Sequence, residues 1–583
     1  MKRVLLLLLL LAAMSLSAFA DDSKISPDLK GKGGDAVEVI VQFTTTPTDK
    51  HKAKIANHGG EVKSVLHSVK AFAASVPAAK LAALSDDPEV RYISRNRQLK
   101  PHLDNTVAAV NAQIAWNYGL DGSGIGVVVI DSGVTNRTDF NSASSSASRV
   151  VYNENFVQSS NTASDQFGHG THVAGIIAGN GNQSTGANYA RTFKGLAPNA
   201  NIINLRVLDG NGKGYDSDVI TAIQRAISLK STYNIRVINL SLGRPIWESY
   251  QLDPVCQAAE AAWKAGIVVV VSAGNSGRDN SQGTNGYGTI TAPGNDPYVI
   301  TVGAMKTMGT PDRSDDQIAS YSSKGPTQID HIVKPDLLAP GNMIASLKGS
   351  GTIINTYPNN TVPQSYYIVN GSIGSISGQY FFLNGTSMAA PVVSGAVALL
   401  LQAHPELTPD QVKARLMRSA YKTLPRYSST TDAITGVTYT AQYDIFTVGA
   451  GYLDVAAALA DTGIGTGTAA SPVAGYDSAT GAVYLVADSS AVWGSSAVWG
   501  GSAVWGSNIF DQSAVWGSSA VWGSSAVWGS SAVWGSSAVW GSSAVWGSSS
   551  LGGFSAVWGS SAVWGSSANT GVESLSTFIN GEE

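Results

Sequence analysis

The chain is 583 residues long, 43% hydrophobic and only 13% charged, with a formal net charge of −4. At about 100–200 residues per domain it has room for three to five units, and the near-neutral balance excludes binding to nucleic acid or to an anionic membrane surface through bulk charge. The single cysteine, Cys256, excludes an intramolecular disulfide and reads as a small buried hydrophobe.

In chain order, Lys2 and Arg3 form a basic start, residues 4–13 an apolar run, and Ala18-Phe19-Ala20 a small-x-small cleavage site. This is the pattern of a secretory signal peptide, because the apolar run is too short to span a bilayer. No later run of about 18 apolar residues follows, so the mature protein is expected to be exported and soluble. Without disulfides its stability must come from core size or bound ions. Residues 21–36 are polar and read as a flexible start. Residues 37–100 read as a small α+β unit: strands at 37–43, 71–76 and 90–93, with helices at 49–58 and 77–84.

Residues 104–462 alternate strands and helices, the pattern of an α/β fold with a mostly parallel sheet and helices on both faces. Buried-strand runs are expected at 125–130, 202–208, 237–240 and 267–272. Helices are expected at about 170–179, 216–231, 252–265, 387–402 and 409–419. Such a sheet places ligands beyond the carboxyl ends of its strands. Residues 463–490 are rich in Gly, Ala and Ser and read as a linker with one short strand. From 491 to 567 runs a hexapeptide repeat, Ala-Val-Trp-Gly-Ser-Ser, holding eleven of the fourteen tryptophans and a single charge, Asp511; a tail, 568–583, closes the sequence.

Three segments carry chemistry. In Val127-Val128-Val129-Ile130-Asp131-Ser132-Gly133 a carboxylate ends a buried strand, followed by a Gly that permits a sharp turn; alone, this also fits an ordinary turn-forming Asp. In Asp165-Gln166-Phe167-Gly168-His169-Gly170-Thr171-His172-Val173 the first histidine starts a helix. Its spacing from the second does not match a zinc-protease pair, and His169 serves as a general base only if a carboxylate orients it. In Asn384-Gly385-Thr386-Ser387-Met388-Ala389-Ala390-Pro391 a serine opens a helix among small residues. It reads equally as a plain N-cap or as a nucleophile placed where the helix dipole favours an oxyanion. A serine nucleophile needs a base within reach, and that base needs an anion to fix its tautomer. The three segments supply that set together.

These three stretches resemble the signatures of the subtilisin-like serine peptidases, and the likeness covers about residues 35–462. The resemblance implies that Ser387 is the nucleophile, His169 the general base and then acid, and Asp131 the residue that orients it. It further implies that Asn275, in Ser272-Ala273-Gly274-Asn275, donates to the oxyanion beside the Ser387 amide. Ser241-Leu242-Gly243 and Gly212-Lys213-Gly214 resemble the two edges between which a substrate strand lies. Ala273 and Gly274 would then form the other pocket wall, with Thr291 near its base. No acid is evident at that base, so cleavage after apolar or mixed residues is expected. The chemistry requires no cofactor. A structural calcium ion is compatible with the likeness, but its ligands are unassigned, and the candidate run Pro293-Gly294-Asn295-Asp296 reads sooner as a plain turn. The loop 179–194 and the stretch 346–382 are longer than in the smallest members. Residues 21–103 resemble an inhibitory, chaperone-like propeptide with its core at 37–96, removed by cleavage near 97–106. Protein substrates and this propeptide are the expected partners, with no nucleic acid.

The repeats alternate well enough for short strands and leave three readings open. Stacked copies could bury ladders of Trp and Val as in a β-solenoid; exposed Trp faces could hold sugars, a cell surface or a polymer; or the tract could stay unfolded. A rival to the peptidase reading makes these repeats the working part. A sugar hydrolase with paired carboxylates finds no matching acidic pair.

Overall fold

A computed structural model describes residues 24–26, 29, 36–96, 103–142, 145–369, 376–432, 435–465, 467–477, 482–485 and 579–582. The expected signal peptide and the repeat tract lie outside the described residues. The chain divides into two compact units, residues 1–100 and 101–583.

In the first unit four antiparallel strands lie in the order Glu61–Leu66, Ala71–Pro77, Ala36–Phe43, Val90–Arg95. Val39, Val41 and Phe43 alternate inward from Ala36–Phe43 and meet Phe72, Val76, Val90 and Ile93. Helix Asp49–Asn57 opens with Thr48 and His51 bonded reciprocally as a capping box, and adds Ile55 to this core. Helix Leu81–Ser85 adds Leu81 and Leu84. The strand Glu61–Leu66 was not expected. It is an edge strand with mostly exposed side chains, so its sequence lacks the apolar alternation that marks a half-buried strand.

The second unit is built on an eight-stranded sheet. Its path is Gln317–Ile318, Ile300–Lys306, Val268–Ser272, Ile235–Leu240, Gly126–Asp131, Asn201–Arg206, Val150–Asn155, and Leu337–Pro340 also pairs with Ile300–Lys306. Every pairing is parallel except the two-residue edge strand Gln317–Ile318. All six residues of Gly126–Asp131 are buried, and since side chains alternate across a strand, both faces of the sheet are covered there. Helices Gly170–Ala178 and Thr386–Ala403 pack together, as do Asp216–Tyr233 and Pro254–Lys264. Thr386–Ala403 is the one helix among the described residues long and apolar enough to cross a membrane, and it is a core helix, largely buried against the sheet.

Strand order positions the site. Gly126–Asp131 lies mid-sheet. The next two strands in sequence are laid to one side, and Ile235–Leu240, Val268–Ser272 and Ile300–Lys306 to the other. The order therefore reverses at Gly126–Asp131, and the crevice at the carboxyl end of such a strand is the natural ligand position.

The stretch expected as a linker with one strand packs differently. Strands Ala474–Asp477 and Ala482–Leu485 form a hairpin, and the chain before it is bonded into the unit. Ser471 Oγ lies between Asp336 Oδ1 (2.5 Å) and Lys413 Nζ (2.9 Å), a buried ion pair at 3.2 Å. The small residues that suggested a linker allow this close packing instead.

Candidate active site

Asp131 ends the central strand and is fully buried. Its Oδ1 accepts from Ser132 N and from His169 Nδ1, both at 2.7 Å. His169 immediately precedes helix Gly170–Ala178. A Cβ on Gly170 would lie 2.3 Å from the Gly133 carbonyl oxygen and 3.1 Å from the Asp131 side chain, so only glycine lets the helix start this close to the carboxylate. Burial pulls the His169 pKa down. The charge and hydrogen bond of Asp131, with the more distant charge of Asp165, outweigh it and leave the ring above the ordinary imidazole value.

The second histidine has a different role. Both Phe381 O (2.9 Å) and Ile344 O (3.0 Å) lie beside His172 Nε2, and burial pushes its pKa down to about 3, so it is a neutral packing residue.

Asp165 knits the two loops together, a role the sequence reading did not assign. Its carboxylate accepts from Ser132 Oγ (2.9 Å), Phe167 N (3.1 Å), Gly168 N (2.7 Å), Thr171 N (2.9 Å) and Thr171 Oγ1 (2.7 Å). Ser132 Oγ in turn accepts from Gly170 N at 2.9 Å. The segments holding Asp131 and His169 are thus bonded to one buried carboxylate. Burial pushes the Asp165 pKa up against the lowering effect of these donors.

Ser387 is the second residue of helix Thr386–Ala403, so its amide lies in the first turn, where N–H groups lack intrahelical acceptors. Its hydroxyl donates to Ser241 O at 3.3 Å, and Ser241 Oγ donates to Ser387 O at 2.8 Å. Asn275 Oδ1 accepts from Thr386 N (2.8 Å) and Thr386 Oγ1 (3.1 Å). That commits the oxygen end of the carboxamide to the helix start and leaves its NH₂ end as the donor.

His169, Asn275 and Ser387 line one cleft of about 1200 Å³. Gly212, Lys213 and Gly214 line it too, as do Ser241, Leu242 and Gly243. Ala273 is buried, and Gly274 and Thr291 are half-buried next to Asn275 and Ala292 of the lining. Thr291 N donates to Ala273 O (3.1 Å) and Gly274 N to Thr386 Oγ1 (3.1 Å), while Asn275 and Ala292 face the cleft. The lining also holds a charged group that sequence alone did not reveal. Arg244 Nε donates to Asp216 Oδ2 (2.9 Å), and its Nη2 pairs with buried Asp253 Oδ2 (2.9 Å). Arg244 directly follows a predicted edge and Asp216 opens a helix, but nothing in their spacing signals that they meet.

Pro293–Asp296 is a turn closed by Asp296 N donating to Pro293 O at 3.1 Å. Asp296 is buried, which pushes its carboxyl up to about 7, and it is the run's only carboxylate. Among the described residues no three His, Cys, Asp or Glu side chains gather into a metal-holding group. Cys256 is buried, its Sγ 3.4 Å from Asn295 Oδ1, and burial pushes its thiol pKa up.

Residues 122–451 match the subtilase family. Serine protease AprX of Bacillus subtilis is 35% identical over 370 residues, which is 62% of this chain and 76% of that protein. Subtilisin E of the same organism is 33% identical over 420 residues, 70% of this chain and 92% of that protein. A thermostable alkaline protease of Halalkalibacterium halodurans is 31% identical over 345 residues, 58% of this chain and 75% of that protein. With the matched region spanning more than half the sequence and enclosing the whole cleft, the chain belongs to the subtilase family and is a serine-type endopeptidase.

Proposed function

We propose that this endopeptidase is exported, matures from a precursor, and cuts proteins with broad preference through Asp131, His169 and Ser387. The observation that carries the reading is the 2.7 Å contact of His169 Nδ1 with buried Asp131, in a cleft that Ser387 also lines. Held by Asp131 with its proton on Nδ1, the imidazole presents Nε2 as base. Ser387 Oγ attacks the scissile carbonyl carbon and its proton passes to His169 Nε2. The tetrahedral oxyanion is met by the Asn275 NH₂ and the Ser387 amide. The C–N bond then breaks, His169 gives its proton to the departing amine, and an acyl ester remains on Ser387. Water, deprotonated by His169, hydrolyses that ester by the same sequence of steps.

The substrate lies as an extended strand between Gly212–Lys213–Gly214 and Ser241–Leu242–Gly243, the two backbone segments that line the cleft. Gly243 and Gly274 pack against Thr291, and these residues bring no carboxylate. That supports cleavage after apolar or mixed residues rather than strictly after Lys or Arg. The basic-apolar-small pattern of residues 1–20 supports export. The separate fold of residues 37–96 supports an inhibitory, chaperone-like propeptide, removed near 97–106 by the enzyme itself. The Asp/His/Ser steps need no cofactor.

Casein hydrolysis by the purified precursor, beside Ser387→Ala, tests the reading, with the N-terminus of each product sequenced. Wild type should cut casein and lose residues up to about position 100, and the variant should do neither. If both behave alike, Ser387 is not the nucleophile.

A further inference from the structure

Glu582 lies about 200 residues beyond the catalytic helix, past the whole repeat tract, yet its side chain is fully buried in the catalytic unit. Its carboxylate meets Arg278 Nη2 at 2.7 Å, Lys306 Nζ at 3.4 Å and Ser320 N at 3.0 Å, and it also accepts from Ser320 Oγ. Lys306 is buried and Arg278 is little exposed: their side chains are 3% and 12% exposed. Arg278 is shared with Asp432 (2.8 Å) and stacks over Tyr439, and Lys306 also donates to Thr430 Oγ1 (2.7 Å). Two cations so little exposed to water are costly unless that carboxylate is in place.

The backbone around Glu582 is read as well. The Asn342 side chain donates to Glu582 O (2.8 Å) and accepts from Glu582 N (2.9 Å), the two-point pairing that a carboxamide makes with a single peptide residue. Asn360 Nδ2 donates to Ile579 O at 2.5 Å, and the Ile579 side chain is buried. Gly581 has φ +67, and a Cβ there would lie 2.4 Å from Asn384 Oδ1, so no other residue fits. An apolar anchor, an obligatory glycine and a carboxylate are each matched by a separate group.

We propose that the catalytic unit carries a second peptide-binding site, formed by Arg278, Lys306, Ser320, Asn342 and Asn360, whose ligand is the chain's own Ile579-Asn580-Gly581-Glu582. The ligand class is an acidic peptide containing Gly-Glu with an apolar residue two positions before the glycine. The site holds the far end of the repeat tract on the enzyme. It also backs the nucleophile loop: the Asn384 side chain that touches Gly581 accepts from Met343 N (2.5 Å), and Tyr321, next to Ser320, accepts from Gly385 N (3.2 Å). The assignment does not depend on the chemistry at Ser387.

Hydrogen exchange on the full chain tests it, with Ser387→Ala in every sample so that self-digestion cannot cut the tail. Glu582→Ala should speed exchange of the Ser320 amide by roughly tenfold or more, the size of one lost buried hydrogen bond. The amides of strand Gly126–Asp131 should keep their protection. Gly581→Ala, which leaves the carboxylate in place, should do the same by steric exclusion. A synthetic peptide of residues 576–583 added to the Glu582→Ala chain should restore protection at Ser320, and the same peptide carrying Glu582→Ala should not. Unchanged exchange at Ser320 in both variants overturns the proposal. So does equal rescue by either peptide, or a rise that spreads equally through the central strand.

Discussion

Ser241 and Ser387 exchange hydrogen bonds: Ser241 Oγ donates to the Ser387 carbonyl at 2.8 Å, and Ser387 Oγ donates to the Ser241 carbonyl at 3.3 Å. The first bond answers a defect in the helix. Pro391 stands four residues after Ser387 and has no N–H, so the Ser387 carbonyl loses its helical donor. Ser241 fills that place from the cleft edge. Ser241→Ala should therefore cost about 1–3 kcal/mol, the penalty of an orphaned buried acceptor, read as a lower urea midpoint with unchanged slope. Pro391→Ala in the same chain should return part of the loss, because residue 391 can then donate to Ser387 O. Additive losses from the two changes would refute the compensation.

In the proposed mechanism the raised pKa of His169 sets the acid limb of activity. As pH falls through it the ring takes a second proton and can no longer accept the Ser387 proton, so kcat/KM should fall on the acid side, with its midpoint above that of an ordinary imidazole. Asp131→Asn removes the charge that raises the pKa and leaves burial dominant. The acid limb should move to lower pH and kcat should drop by on the order of 10⁴. A pH profile on a small peptide substrate reads both, and a limb that stays in place would detach His169 from Asp131.

The oxygen end of the Asn275 carboxamide ties down Thr386, leaving the NH₂ end for the oxyanion in the proposed mechanism. Asn275→Ala should lower kcat by about 10²–10³ with little change in KM, the size of effect known for this donor in a subtilisin. An equal change in KM would mean that the residue shapes the cleft rather than meeting the oxyanion.

Asp165 is a positioning residue. Asp165→Asn replaces an oxygen facing N–H and O–H donors with an NH₂ group, and should destabilise by about 1–3 kcal/mol. It should also lower the acid limb slightly, because the Asp165 charge helps raise His169. Thermal unfolding measures the first and the pH profile the second; a stability loss with the limb unmoved would leave Asp165 a purely structural residue.

Legibility followed burial only in part: the fully buried strands Ile300–Lys306 and Leu337–Pro340 were not expected, since Gly303 and Lys306 break the apolar run in one and the other is only four residues long. The all-buried strands Gly126–Asp131 and Val268–Ser272 read as apolar runs, and helix Pro409–Ser419 has the bounds expected for it. Strands Val150–Asn155 and Glu61–Leu66 escaped because they are edges with half-exposed or exposed side chains, where apolar periodicity is weak. The candidate triad was readable from local motifs. The contacts of Asp165, the Arg244–Asp216 pair and the seat of Glu582 were not, because each joins segments whose meeting is set by the strand order. Residue type gave no warning that Ser471 would sit between a buried lysine and aspartate.

The seat of Ile579–Glu582 also changes what a cut within the repeats can accomplish. The hairpin at Ala474–Leu485 fastens one end of the intervening chain to the catalytic unit, and the seated segment fastens the other. A single nick anywhere in the repeats then leaves two stubs, both still attached, and releases nothing. Shedding any of the tract takes two cuts, or one cut and an empty seat.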